Sequence, residues 1–106
     1  MDQYNWPLGN GKTIPFQICD PNAGWKSIAG LYIFSHKTSD GSWQAVYIGQ
    51  TDDFSSRLPS HERWDEAHRN GATHIHAVSI PHQSQRDSLE DQLVRYLQPP
   101  LNTHFR

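Results

Sequence analysis

The sequence predicts a small α/β domain in which short strands are combined with helices. Three short runs rich in β-branched and aromatic residues are bounded by turn residues, which is typical of strands. A stripe of leucines at helical spacing runs up to Pro99-Pro100 and predicts a helix. The chain has 106 residues, enough for about one domain, and four each of Trp, Tyr and Phe to fill a core.

Residues 1–29 are predicted to form an irregular N-terminal arm, because they are rich in Gly, Pro and Asn and show no sustained hydrophobic period. Trp6, Phe16 and Trp25 indicate that this arm packs on the body of the protein. The body is predicted to span residues 30–102, and residues 103–106 are predicted to be a tail.

Two apolar runs, residues 30–34 and 44–49, predict a β-hairpin, because a Ser-Asp-Gly-Ser turn signal lies between them. The charged stretch 53–70 is predicted to be mostly helical and to end at Asn70-Gly71, a left-handed C-cap signal. Pro59 interrupts this stretch, so we expect a short first turn and a second helix that starts near Ser60.

The run at residues 74–80 predicts a third strand, which ends at Pro81. Residues 84–97 are predicted to form the last helix. Ser84 and Asp87 resemble a capping box at its start, and Leu89, Leu93 and Leu97 form its apolar stripe.

Charge limits the classes of function. The nine Lys and Arg residues are balanced by eleven Asp and Glu residues, and neither half of the chain is basic. This balance argues against a protein that coats nucleic acid nonspecifically, but it allows a local basic site. Cys19 stands alone, so it can form no intrachain disulfide. With no apolar run of about 20 residues and no signal-peptide pattern, the sequence predicts a cytoplasmic protein that has no membrane partner.

Five residues have side chains suited to phosphodiester chemistry: Tyr32, Tyr47, Arg57, His61 and Glu90. Tyrosine hydroxyls can orient or deprotonate a water, a guanidinium can neutralise phosphate charge, and a carboxylate can hold a divalent metal. Simpler interpretations stay open from spacing alone. The tyrosines could be cross-strand packing, and the charged residues could be ordinary members of solvated helix faces.

The motifs that contain these residues resemble those of the GIY-YIG nucleases. In chain order they are Gly30-Leu31-Tyr32, Tyr47-Ile48-Gly49, Arg57, His61, Glu90 and Asn102. Arg57 lies eight residues after Gly49, and Glu90 opens the segment EDQLVRYLQPPLN, which Asn102 closes. Each triplet alone is a weak signal, whereas the ordered set is a strong one.

The resemblance implies an α+β fold, with a three-stranded antiparallel sheet flanked by helices, and metal-dependent cleavage of nucleic acid. It implies that Tyr32 and Tyr47 serve the attacking water and that Arg57 binds the scissile phosphate. Glu90 would ligate a single Mg²⁺ or Mn²⁺.

Two further site residues have less direct roles by the same resemblance. His61 would assist in proton handling or phosphate contact. Asn102 would position the end of the chain rather than act directly.

The leading hypothesis is therefore a metal-dependent DNA endonuclease, whose specificity could come from the arm, a homodimer or a separate partner. One alternative is a weakly active or inactive module that binds nucleic acid or a protein partner, motivated by the acidic balance and by Pro59 beside Arg57. Another is an RNA nuclease, since no reader of the 2′-hydroxyl can be recognised.

Overall fold

The structure is a computed structural model that describes residues 2–102. Its elements are β1 (Gln3–Pro7), β2 (Thr13–Cys19), β3 (Gly30–Lys37), β4 (Trp43–Thr51), α1 (Phe54–Arg57), α2 (Trp64–Arg69), β5 (His74–Ser79) and α3 (Gln83–Leu97). The predicted hairpin, third strand and last helix are confirmed. The predicted tail, residues 103–106, lies outside the described residues.

All five strands form one antiparallel sheet, in the order β1-β2-β5-β3-β4. The prediction of three strands and an irregular arm is wrong, because β1 and β2 form a hairpin that joins the sheet where Gln17 pairs with Ala77. Pro15 obscured this hairpin in the sequence. It lies where β2 pairs only with β1, so its missing N–H removes no hydrogen bond to β5.

Side chains alternate between the two faces of the sheet and divide the core in two. Tyr32 and Phe34 point toward α1 and α2, where they pack with Phe54, Leu58 and Ala67. On the opposite face α3 packs against the sheet, and the buried residues there are Trp6, Phe16, Leu31, Ile33, Ala45, Ile48, Leu93 and Val94. The site described below lies where β4, at the edge of the sheet, meets elements from both faces.

The predicted break at Pro59 divides the helical stretch as expected. Asp53 caps α1 by accepting a hydrogen bond from the Ser55 amide at 2.9 Å, and α1 ends at Leu58. The second helix, α2, starts at Trp64, four residues later than predicted, so His61 lies in an irregular connection. Gly71 has a φ of +100°, as the C-cap signal predicts.

Helix α3 begins without the predicted capping box. His82 occupies the N-cap position, and no side chain hydrogen-bonds to the helix start there. Asp87 instead accepts a hydrogen bond from Gln50 on β4. Among the described residues no helix is both long and apolar enough to cross a membrane.

Candidate active site

Tyr32 reaches the edge strand by lying over a glycine. It pairs with Gly49 of β4, and a Cβ atom on Gly49 would overlap the Tyr32 hydroxyl. Gly30 is equally confined, since a Cβ there would overlap the Val78 carbonyl oxygen and the Phe54 ring. The glycines of the two motifs therefore allow close approaches that any larger residue would prevent.

Tyr47 lies beside Tyr32 on the same face of the sheet. It pairs with Phe34, so the two tyrosines are diagonal neighbours across β3 and β4, with ring centroids 6.4 Å apart. Tyr32 is only 1% exposed, whereas Tyr47 is half-buried. The guanidinium of Arg63 lies 5.9 Å from the centroid of the Tyr47 ring.

His61 is buried against both tyrosines, and its Nε2 lies 2.7 Å from the Tyr32 hydroxyl oxygen. Its Nδ1 accepts a hydrogen bond from the backbone amide of Arg63 at 3.0 Å. Burial, with a further contribution from the positive charge of Arg57, lowers the pKa of His61 to about 4. The ring is therefore neutral near pH 7 and carries its proton on Nε2, which donates to Tyr32.

Arg57 is held by Glu62 through two parallel hydrogen bonds, Nη1 to Oε1 at 2.5 Å and Nη2 to Oε2 at 2.7 Å. These bonds raise the pKa of Arg57 above its usual value and lower the pKa of Glu62 to about 2. Burial raises the pKa of the Tyr32 phenol, and the positive charge of Arg57 offsets part of that rise. Both residues beside Pro59 therefore act on Tyr32: His61 through a direct hydrogen bond and Arg57 through its charge.

The two tyrosines have raised pKa values. Burial is the main cause for both, so both phenols are protonated near pH 7. The neighbouring Tyr47 raises the pKa of Tyr32 further, and the Glu90 carboxylate raises the pKa of each tyrosine. Glu90 is therefore within electrostatic range of both hydroxyls.

Glu90 reaches this position from the other side of the sheet. Leu93 and Val94 anchor α3 on the face opposite to Tyr32, yet the Glu90 side chain extends to the edge strand. There its Oε1 accepts a hydrogen bond from Gln50 Nε2 at 2.9 Å. The structure therefore places Glu90 at the edge strand, where its charge acts on Tyr32 and Tyr47, although its helix packs on the opposite face of the sheet.

Asn102 is fully buried and lies along β4. Its Oδ1 accepts from the Ile48 amide at 2.8 Å, and its Nδ2 donates to the Ile48 carbonyl at 2.7 Å. Since Ile48 follows Tyr47 in the strand, Asn102 supports the backbone that carries this tyrosine. Both groups of its side-chain amide bind the backbone of β4, so Asn102 also fixes the end of the described chain on this strand.

No family model matches the sequence, and no curated protein matches it. Solved structures do match. The GIY-YIG N-terminal endonuclease domain of UvrC from Thermotoga maritima, as a tyrosine-to-phenylalanine mutant bound to its catalytic divalent cation, gives a TM-score of 0.60 at 23% identity. That alignment covers 74% of this chain and 87% of the other.

The same UvrC domain bound to magnesium gives a TM-score of 0.59 at 22% identity and covers 74% of this chain and 88% of that one. Another tyrosine-to-phenylalanine mutant gives 0.61 at 22% identity, with 74% and 87% covered. This chain has a GIY-YIG-like fold.

The donor set at the edge of this GIY-YIG-like fold suits Mg²⁺ better than a metal that needs many protein ligands. Within residues 2–102, no group of three or more His, Cys, Asp and Glu side chains is placed to hold an ion. Glu90 offers carboxylate oxygens at the edge of the site, and Mg²⁺ commonly binds through one or two carboxylates while keeping several waters. The residues present therefore fit a hydrated Mg²⁺.

Three residues of the site escaped the sequence analysis: Glu62, Gln50 and Arg86. Glu62 lies five residues beyond Arg57, across a broken helix, so no helical spacing links the two. Gln50 directly follows the YIG motif. Because side chains alternate along a strand, Gln50 lies on the same face as Ile48, the face that α3 covers, and this alternation could have pointed to its contact with Glu90.

Proposed function

We propose that this protein is a metal-dependent endonuclease that hydrolyses phosphodiester bonds in DNA. The proposal rests on a GIY-YIG-like sheet in which Tyr32 is hydrogen-bonded to His61 and Glu90 is hydrogen-bonded to Gln50 on the edge strand. The charges of Arg57 and Glu90 both act on Tyr32. Specificity would come from the β1–β2 hairpin, a second copy of the chain or a separate partner.

In this proposal Arg57 binds the scissile phosphate. A guanidinium presents the same planar pair of donors to phosphate as to carboxylate, so a DNA phosphate would take the place that Glu62 now occupies. Arg57 would then neutralise the charge that builds on the phosphate during attack.

Of the two tyrosines, we assign Tyr32, in its phenolate form, to accept the proton of the attacking water. The Nε2–H of His61 is hydrogen-bonded to its oxygen and the positive charge of Arg57 acts on it, and both stabilise the phenolate. Tyr47, more exposed and diagonal to Tyr32, would orient the water. His61 acts by holding the Tyr32 oxygen rather than by titrating itself.

Glu90 would hold a single Mg²⁺ or Mn²⁺, which when bound stabilises negative charge on the leaving oxygen. The Glu90 carboxylate influences the pKa values of both tyrosines, so a cation bound there would act on the same hydroxyls through its charge. Asn102 contributes indirectly, through the backbone of β4.

A second candidate is a weakly active or inactive module that binds nucleic acid. The paired state of Arg57 favours it, because Glu62 already satisfies the cation that phosphate would need. The two candidates differ in whether DNA displaces Glu62.

The test is incubation of the purified protein with labelled single-stranded, duplex and branched DNA and with RNA, in Mg²⁺, Mn²⁺ or EDTA. The proposal expects metal-dependent cleavage of DNA that Glu90→Gln abolishes. Asp91→Asn is the matched control, since Asp91 is the next residue of α3 and pairs with Arg95. Binding without cleavage would favour the second candidate, and cleavage of RNA alone would make the protein an RNA nuclease.

A further inference from the structure

Gln50 links the candidate metal ligand to the rest of α3. Its Nε2 donates two hydrogen bonds, to Glu90 Oε1 at 2.9 Å and to Asp87 Oδ1 at 2.7 Å. Its Oε1 accepts a hydrogen bond from Arg86 Nε at 3.2 Å. Every donor and the acceptor of this side-chain amide are therefore engaged by one turn of α3.

Arg86 is held in place more firmly than an ordinary helix arginine. It is only 4% exposed, and its Nη1 donates to the carbonyl oxygens of Ile80 and Pro81, each at 2.9 Å. These two carbonyls belong to the turn that leads into α3, so the guanidinium is fixed relative to the helix. It offers its Nε–H to β4 in a set direction.

This arrangement leaves the Gln50 amide one orientation. A guanidinium has only donors, so the amide oxygen must face Arg86, and ionised carboxylates only accept, so the NH₂ group must face Glu90 and Asp87. Rotation of the amide by half a turn would put oxygen against two carboxylates and N–H against the guanidinium. All three hydrogen bonds would be lost.

We propose that Gln50 is a positioning residue for Glu90, and that Arg86 sets the orientation of its amide. This inference rests on the proposed function, in which Glu90 holds the divalent cation. A glutamate on a helix surface samples many rotamers, and a hydrogen bond to one of its oxygens reduces that freedom. Groups that orient a metal ligand commonly contribute to metal affinity about 10-fold or more.

The decisive variant is Gln50→Met, which keeps an unbranched side chain of similar length and removes the amide. We expect its Mn²⁺ affinity, measured from the free Mn²⁺ signal in electron paramagnetic resonance, to fall about 10-fold. Saturating Mn²⁺ should restore most of the cleavage, whereas no Mn²⁺ concentration should rescue Glu90→Gln. Gln44→Met is the matched control, because Gln44 lies on the same strand and donates to the Ala45 carbonyl.

A double-mutant cycle tests the role of Arg86. If Arg86 acts through Gln50, Arg86→Met should weaken Mn²⁺ binding, and the double variant should bind no more weakly than Gln50→Met alone. Circular dichroism checks that Arg86→Met folds. Should it fail to fold, Arg86→Lys replaces it in the cycle.

The outcomes separate this inference from the proposed function. Unchanged Mn²⁺ affinity in folded Gln50→Met, with a wild type that binds Mn²⁺ through Glu90, overturns the positioning role and leaves the nuclease proposal standing. A wild type that binds no Mn²⁺ overturns both. Additive losses in the cycle overturn the assigned role of Arg86.

Discussion

The neutral ring of His61 donates a hydrogen bond from Nε2 to the hydroxyl oxygen of Tyr32, across 2.7 Å. The Arg63 amide fixes this tautomer by occupying Nδ1. Tyr32 therefore accepts from His61 and directs its own proton elsewhere. An exposed histidine titrates near neutral pH, whereas burial keeps His61 uncharged there.

The first prediction concerns the pH dependence of cleavage. The pKa of His61 is about 4 and the pKa of each tyrosine lies above its usual value, so neither His61 nor either tyrosine titrates between about pH 5 and 8. We expect log kcat/KM to rise steadily with pH through this range, because the phenolate fraction of Tyr32 rises. A break near pH 6.5 in the rate profile would show that His61 titrates in the reaction.

The second prediction concerns the glycine beneath the Tyr32 hydroxyl. Gly49→Ala places a Cβ where the phenol lies, so Tyr32 must move, and cleavage should fall about 100-fold. Gly24→Ala is the control, because a Cβ there meets no atom within 4 Å. Thermal unfolding measured alongside separates displacement of the hydroxyl from loss of the fold. Wild-type activity in a folded Gly49→Ala protein would contradict the role given to Tyr32.

The third prediction concerns the pairing of Arg57. Glu62→Gln removes the charge that competes with phosphate, so DNA binding in Ca²⁺ should strengthen about 3- to 10-fold, as expected when one cation is freed for a phosphate. Fluorescence anisotropy with labelled DNA measures this change. Glu66→Gln alters the net charge equally but acts on Arg63, so it should strengthen binding less. Weaker binding by Glu62→Gln would mean that Glu62 orients Arg57 for its ligand.

The fourth prediction concerns stability in acid. His76 is fully buried, and its Nδ1 accepts from Trp6 Nε1 at 2.9 Å. Burial, with a contribution from His74, lowers the pKa of His76 to about 4. In the unfolded chain His76 binds a proton near pH 6.5, whereas in the folded chain it does not. The free energy of unfolding should therefore be highest above about pH 6.5 and decrease toward pH 4.

Protonation of His61 destabilises the fold in the same pH range. Each histidine accounts for about 3 kcal/mol of the loss in the free energy of unfolding. Urea unfolding at several pH values measures it. His76→Phe should be less stable at pH 7 but should lose less stability on acidification. An equal acid loss in this variant would exclude His76 as a source. The Glu62 pairing contributes mainly below this range, because its stabilisation is lost as the pH falls from about 4.5, the ordinary value for Glu62, toward its pKa of about 2.

The sequence predicted those parts of the site that lie within one strand or one motif. Tyr32, Tyr47 and Arg57 were proposed because the motif residues follow one another in a fixed order, and the leucine stripe predicted α3 almost to the residue. The strand β2 was missed because Pro15 is a strand breaker unless its position in the sheet is known. That position depends on pairing with β5, which lies about 60 residues away.

The contacts that orient the site were not predictable for a related reason. Gln50 and Arg86 are 36 residues apart in sequence. They meet because the start of α3 packs next to the C-terminal end of β4. The pairing of Arg57 with Glu62 follows from the turn that Pro59 imposes, which has no fixed helical geometry. In each case the packing of whole elements, rather than local preference, decides the partner.

The amide of Asn102 binds the Ile48 N–H and carbonyl together, and the Leu101 amide binds the Val46 carbonyl. The last residues of the described chain thus make hydrogen bonds to β4 like those that a sixth strand would make. An edge strand with open hydrogen-bonding groups invites pairing with other chains, which leads to aggregation. Here Leu101 and Asn102 occupy the Val46 carbonyl and both backbone groups of Ile48, so this part of the edge strand is closed to pairing with another chain.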